Sequence, residues 1–327
     1  MITPTFILGA GFNADAAGEA GRQQHDSGYP LVGDMLRLCF NLPAVPDGKS
    51  IEDLFSDALE RDPGPIRKLA DRLRQADHDL AYNLAQTGGL NCYQRFFRAY
   101  RDSSFLTFNY DSLPETLLFH LGCWFPRDGY GVKVMAHLPP GSEEFGDKTS
   151  SALVLHLHGS LCIRTSEFEL RSNGEQATAM LTERDAPLFA FDPTSITGNF
   201  APFDRDVGFD DVKDRIIAPV PDKSQGLKQT FIRAIYAKAV DVVRDSGAVV
   251  AIGYSFNAHD RGSYQTLLDA LRESKGRRLL IVSPDADIVA QPIRAAFPDL
   301  AVIPLKATFK EWVAELFPGI ETLEEGH

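Results

Sequence analysis

The chain has 327 residues, a mass of 36.0 kDa and 44% hydrophobic residues, which suits a soluble globular protein of one large domain or two small ones. Its 33 Lys and Arg against 45 Asp and Glu give a formal charge of -12, which disfavours sequence-independent attraction to anionic lipid or nucleic-acid phosphates, so no direct nucleic-acid binding is expected. No apolar stretch approaches the roughly 20 residues that span a bilayer, and MITPTFILGAGFN carries no charge ahead of its short apolar run, so a cytoplasmic chain without membrane attachment is expected.

Short β-rich runs alternate with helical patterns, the signature of parallel βαβ units. The expected fold is α/β, a Rossmann-like parallel sheet flanked by helices with an inserted helical module. Strands are expected at Thr5–Leu8, Phe105–Thr107, Leu153–Leu157, Arg215–Ala218, Ala248–Ile252, Leu279–Val282 and Ala301–Ile303. Residues 34–101 place apolar side chains at helical spacing, as in IEDLFSDALERD and IRKLADRLRQADHDLAYNLAQ, and read as a helical insertion after the first strand. Residues 162–213 follow no period and read as an irregular loop or lid. Helices are then expected over about 226–246 and 262–274. Cys39, Cys92, Cys123 and Cys162 form no CxxC pair, so neither a zinc ribbon nor a disulfide framework is indicated.

Four stretches carry candidate chemistry. In TFILGAGFNADAAG a strand runs into Gly9, Ala10 and Gly11, where missing side chains let a backbone approach a phosphate at the start of a helix. In SFLTFNYDSL, Asn109, Tyr110 and Asp111 follow directly on an apolar strand. Asp111 or Ser112 can cap the helix LPETLLFHL, with Pro114 and Glu115 in its first turn; alternatively the Asn109 amide holds a ribose hydroxyl or an attacking water. In LVLHLHGSL, alternation puts His156 and His158 on one face, and a histidine at a strand end can act as a base. A two-histidine metal site is the competing idea, but no third ligand follows at suitable spacing. In VVAIGYSFNAHD, Gly253 and Ser255 end an apolar strand, and IVSPD repeats the design one strand later.

The ordered set GAGFN, GYPLVGDML, TFNYD, HLHGSL, IAPVPDK and AIGYSF resembles the sirtuin superfamily. It is most similar to the bacterial SIR2-like branch, whose members often serve in antiphage defence. The resemblance covers most of the chain and implies a single SIR2-like domain over 1–327 with NAD as substrate and no metal. It implies that Gly9, Ala10 and Gly11 form the phosphate loop, with Asn13 standing where the family carries a serine. Asn109 and Asp111 would bind the nicotinamide-side ribose beside Thr107, and His158 would be the base. Gly253 and Ser255 would line the phosphate side, with Ser283 and Asp285 near the adenosine ribose. The four-cysteine module of the protein deacylases is missing, and their GIP-x-FR stretch is replaced by Gly28, Tyr29, Pro30, Leu31 and Val32.

These departures favour hydrolysis of NAD+ to nicotinamide and ADP-ribose over NAD-dependent protein deacylation or a non-catalytic NAD/ADP-ribose-sensing subunit. Hydride transfer has nothing beyond the glycine loop to support it. The resemblance also implies regulation, by homo-oligomerisation or by a partner such as an ATPase or Argonaute-type protein.

Overall fold

The computed structural model describes residues 3–16, 29–30, 32–62, 64–87, 91–132, 135–136, 148–166, 188–191, 216–217, 219–224, 226–228 and 230–318. Nine strands are present among them: β1 (Thr5–Leu8), β2 (Ser104–Thr107), β3 (Met135–Ala136), β4 (Leu153–His156), β5 (Ile163–Ser166), β6 (Leu188–Phe191), β7 (Val249–Ile252), β8 (Arg278–Ser283) and β9 (Ala301–Lys306). Six of them form one sheet in the order β4-β2-β1-β7-β8-β9, with every neighbouring pair parallel. The remaining three form a small sheet, β3-β6-β5.

In the large sheet the chain builds outward from β1 to β2 and β4, then returns to the other side of β1 and builds outward again through β7, β8 and β9. The direction reverses between β1 and β7, and the carboxyl ends at such a switch point leave the crevice where open α/β sheets bind ligands. The sequence explains the layering. Strands β1 (TFIL) and β7 (VVAI) are buried throughout, as continuous apolar runs must be in a parallel sheet covered on both faces. The last strand, β9, lies at the edge, where Ile303 is exposed and Pro304 enters the pairing, positions that an edge tolerates.

The stretch between β1 and β2 is helical in its described parts. It holds α1 (Val32–Met35), a π-helical turn (Leu36–Phe40), α2 (Ile51–Arg61), α3 (Gly64–Thr87) and α4 (Asn91–Ala99). Ser50 and Asp53 start α2 with reciprocal capping bonds. Beyond β2 lie α5 (Leu113–His120), α6 (Thr230–Asp245), α7 (Arg261–Glu273), α8 (Ala286–Ala296) and α9 (Phe309–Leu316). Helix α9 closes one face: the Phe309 ring centroid lies 4.7 Å from that of Phe12 and 5.2 Å from that of Phe96. Phe12 belongs to the turn after β1, so this aromatic cluster anchors the floor of the crevice.

Two expectations change. Ile163–Ser166 and Leu188–Phe191, inside the stretch expected to be irregular, are strands. Each has four residues, too few for alternation to stand out, and their pairing is non-local. The rest of 167–213 lies outside the described residues. Of the expected strand 215–218, Ile216 makes an isolated bridge to Gly159; Arg215 and Ala218 lie outside the described residues. Among the described residues no helix is long and apolar enough to cross a membrane.

Candidate active site

The turns after β1 and β7 cross in direct backbone contact. The Gly9 N–H donates to the Ile252 carbonyl and the Gly11 N–H to the Gly253 carbonyl, each at 3.0 Å. A Cβ on Gly9 would stand 2.5 Å from the Gly253 oxygen, and one on Gly253 only 2.3 Å from the Phe12 nitrogen. Gly253 also has φ +59°, a left-handed conformation that favours glycine. The glycines therefore let two chain segments approach one another. Because the Gly9 and Gly11 amides are engaged in this crossing, a phosphate cradle does not draw on these two.

Above the crossing lies a cavity of about 200 Å³. Of the residues expected at the site, Gly9, Ala10, Asn13, Asn109, Asp111, His158, Gly253 and Ser255 line it. Gly11 and Thr107 sit behind this wall, and the Thr107 hydroxyl accepts the Asn109 N–H at 3.0 Å. Ser283 and Asp285 are not part of the lining: Ser283 ends β8, and its Oγ accepts the N–H of exposed Asp285 at 3.2 Å. They form the β8–α8 turn, one strand further out. Tyr29 and Pro30 of GYPLVGDML line the cavity, whereas Gly28 and Leu31 lie outside the described residues.

A directed hydrogen-bond chain runs across the floor. Asn109 Nδ2 donates to the Gly9 carbonyl at 3.1 Å and to Asn13 Oδ1 at 3.3 Å. Asn13 Nδ2 donates to Asp111 Oδ2 at 2.7 Å, and Asp111 Oδ1 accepts the Leu113 N–H at 3.2 Å. A carbonyl oxygen can only accept, so Gly9 fixes the orientation of the Asn109 amide, and each later orientation follows from it. Asn109 would then act on a ligand through its Oδ1. Asp111 serves both readings of the stretch at once: from the position before the N-cap Ser112 it accepts the first N–H of α5, and it holds the site together.

The helical stretch reaches this network through a residue that sequence reasoning missed. Asp77 on α3 is fully buried. Both its carboxylate oxygens accept the Ser112 N–H at 3.1 Å, and Oδ1 also accepts the Tyr29 hydroxyl at 2.8 Å. Burial and then the nearby Asp111 raise the Asp77 carboxyl well above the ordinary range. Burial likewise pushes Asp111 up to about 6, with the Leu113 N–H opposing and Glu115 adding to the rise.

The two histidines of HLHGSL part company. His156 ends β4 and is fully buried. Its Nδ1 faces the Asn109 carbonyl at 3.1 Å and its Nε2 faces Glu115 Oε1 at 2.5 Å. Burial favours the neutral ring, but Glu115 outweighs it and raises the histidine above its ordinary value; with an acceptor facing each nitrogen, this favours a protonated His156 that clamps the Asn109 backbone. Glu115, expected as a first-turn helix acid, is instead the buried counterion, and the Tyr130 hydroxyl also donates to it at 3.2 Å.

His158 does not share a face with His156, because the chain leaves the strand between them and turns at Gly159 with φ +82°. The His158 ring stands edge-on to Phe108 at 4.9 Å, and Phe108 stacks on Tyr254 at 4.2 Å. Its Nε2 has no hydrogen-bond partner among the described residues; Asp260 Oδ1 lies 3.8 Å away. Asp260 instead pairs with Lys223 and accepts the Tyr254 hydroxyl at 3.4 Å. Burial and then Lys223 hold His158 well below its ordinary value, so it is neutral near pH 7.

Lys223, Tyr254 and Asp260 all line the cavity. Lys223 lay within the IAPVPDK run without a role. Asp260 directly precedes α7, yet its side chain makes no cap bond. The four cysteines are free and buried, and among the described residues no group of three His, Cys, Asp or Glu side chains is arranged to hold a metal ion.

No family model and no curated protein matches the chain. Among solved structures, a Sir2 homologue in complex with NAD is similar at 14% identity and a TM-score of 0.40, over 96% of this chain and 87% of that one. A mutant Sir2 homologue in complex with ADP-ribose is similar at 14% identity and 0.35, over 96% and 90%. Sir2Tm bound to a propionylated peptide is similar at 12% identity and 0.34, over 96% and 91%. Likeness at these scores carries no argument about chemistry; the doubly wound fold is read from the chain's own strand order.

Proposed function

We propose that the chain is an NAD+ glycohydrolase, binding NAD+ in the crevice between β1 and β7 and cleaving it with water to nicotinamide, ADP-ribose and a proton. The observation that carries this reading is the convergence of Asn109 and a neutral, buried His158 on one cavity at the switch point of the sheet. The order of sequence motifs adds the resemblance to SIR2-like proteins.

Loss of nicotinamide develops oxocarbenium character on the ribose. A protein accelerates such a step by holding the sugar rigidly and presenting one oriented nucleophile on the open face. In this reading Asn109 Oδ1 accepts a hydrogen bond from the attacking water, its amide fixed by Gly9 and Asn13 and its backbone by His156. His158 takes the water's proton directly or through a ribose hydroxyl, a role that needs a neutral ring. Asp111 keeps Asn13 oriented.

The test is nicotinamide and ADP-ribose release from NAD+ by the purified chain, beside Asn109→Ala and His158→Ala. Each variant should lose about 100-fold or more in kcat while still binding ADP-ribose in calorimetry. Undiminished release in both would sink the assignment. Binding of NAD+ without turnover in the wild type would favour the sensing subunit, and turnover requiring an acyl-lysine peptide would favour the deacylase.

The same resemblance supports a regulated effector role in antiphage defence, gated by self-assembly or by an ATPase or Argonaute-type partner. A chain that stays monomeric by light scattering under all conditions would exclude the self-assembly route.

A further inference from the structure

The buried His158 Nε2 without a hydrogen bond is an anomaly, because an orphaned polar atom inside a protein carries a desolvation penalty. Its natural acceptor, Asp260 Oδ1, is 3.8 Å away, too far for a hydrogen bond but close enough that a change in side-chain torsion would close the gap. Asp260 is held off by other partners, the Lys223 ammonium and the Tyr254 hydroxyl. Among the described residues that line the cavity, Lys223 is the one lysine or arginine. The Gly9 and Gly11 amides are already engaged by the β7 turn, so an incoming diphosphate would find Lys223 as its main counter-charge.

We propose that Asp260 is a positioning residue for His158, accepting its Nε2–H, and that Lys223 competes for the same carboxylate until the diphosphate of a bound dinucleotide draws the ammonium away. This rests on the reading of His158 as the base. A neutral imidazole carries one proton, and an Nε2–H held by Asp260 leaves Nδ1 as the accepting nitrogen. The exchange would couple binding to activation: the base gains its orienting carboxylate only when a diphosphate-bearing substrate is in place. Substrates lacking a diphosphate would leave Lys223 on Asp260.

The test follows the titration of the His158 ring by NMR in the full chain, its signal identified by its loss in His158→Gln. The other titratable groups of the same cavity, Tyr29, Glu52, Tyr110, Asp111 and Tyr254, stay unchanged throughout. In the free protein, Lys223→Met should raise the His158 midpoint by about one pH unit or more, the shift a newly adjacent opposite charge produces. The double variant Lys223→Met with Asp260→Asn should show less than half of that rise, the part due to removing the cation alone.

Adding ADP to the wild type should reproduce the rise, and adding it to Asp260→Asn should not. This arm needs no change at Lys223, so it decides the matter even where Lys223→Met does not fold. An unchanged midpoint in Lys223→Met, equal rises in the single and double variants, or no response to ADP would each overturn the proposal. None of these readouts depends on turnover, so failure of nicotinamide release with the midpoint shifts intact would count against the glycohydrolase reading and leave the exchange of Asp260 between Lys223 and His158 standing.

Discussion

The two central strand ends of the sheet and the two next to them toward β4 are built differently. After β1 and β7 the chain offers glycines whose backbones interlock, with a Cβ on Gly253 standing 2.3 Å from the Phe12 nitrogen. After β2 and β4 it offers polar side chains, Asn109, Asp111, His156 and His158, held by a buried lattice of hydrogen bonds. One side supplies a fixed floor and the other supplies chemistry. The lesson is that a glycine motif at a switch point can answer to packing before it answers to a ligand.

Perturbing each side should break the comparison in a characteristic way. The largest effect is expected from Glu115→Ala, which strands the His156 imidazolium without its counterion. Removing one partner of a buried pair costs about 3–5 kcal/mol, measurable as a fall in urea-unfolding free energy. A cost near zero would mean that the pair is not ionised.

On the glycine side, Gly253→Ala combines a backbone clash with a left-handed φ and should cost about 3 kcal/mol. A Tm unchanged from wild type would show that the crossing relaxes freely. Asn109→Ala should separate the two sides most cleanly, since it removes two hydrogen bonds from the floor yet only about 1 kcal/mol of stability.

Protonation sharpens the contrast further, because Asp111 and His158, whose proton affinities are shifted, both sit on the side-chain half. Asp111 keeps its proton up to about 6 in the native state, whereas an unfolded aspartate releases it near pH 3.9. Between these values the native state binds more protons, so this group's contribution to stability is full below about pH 4 and is lost as pH rises through about 6. His158, held low, works the other way: its contribution is present above about pH 6.5 and is lost as pH falls. Asp111→Asn should therefore remove a falling slope worth on the order of 2 kcal/mol between pH 4 and 6. Denaturant midpoints of variant and wild type, compared across that range, would show parallel curves if Asp111 is not perturbed.

The smallest effect is expected one strand further out. Ser283 and Asp285 lie off the cavity, so Ser283→Ala with Asp285→Ala should change stability by about 0.5 kcal/mol or less and leave nicotinamide release intact. A large rise in KM would bring the adenosine end of the ligand back to β8.

Much of this was legible in the sequence. The apolar runs that became β1 and β7 and the polar tripeptide after β2 could be read directly, because burial on both sheet faces demands continuous hydrophobicity and a strand end exposes whatever follows it. That Asn109 and His158 would stand at strand ends facing a common cavity could be read for the same reason. Asp77, Lys223 and Asp260 were not, since each reaches the cavity from a distant element and its type, an acid in a helix, a lysine in a loop or an acid before a helix, is ordinary there.

By itself the sequence determined the alternation of strands and helices and the residue types available at each strand end, because those depend on local propensity and hydrophobic period. Tertiary structure alone decided which of two histidines, two residues apart, became a ring clamped between two acceptors and which a neutral ring at the cavity. That choice depends on what faces each ring: Glu115 and the Asn109 carbonyl around His156, Phe108 and a carboxylate already taken by Lys223 around His158. Such neighbours come from segments up to 102 positions away, as with His158 and Asp260, and no local pattern encodes them.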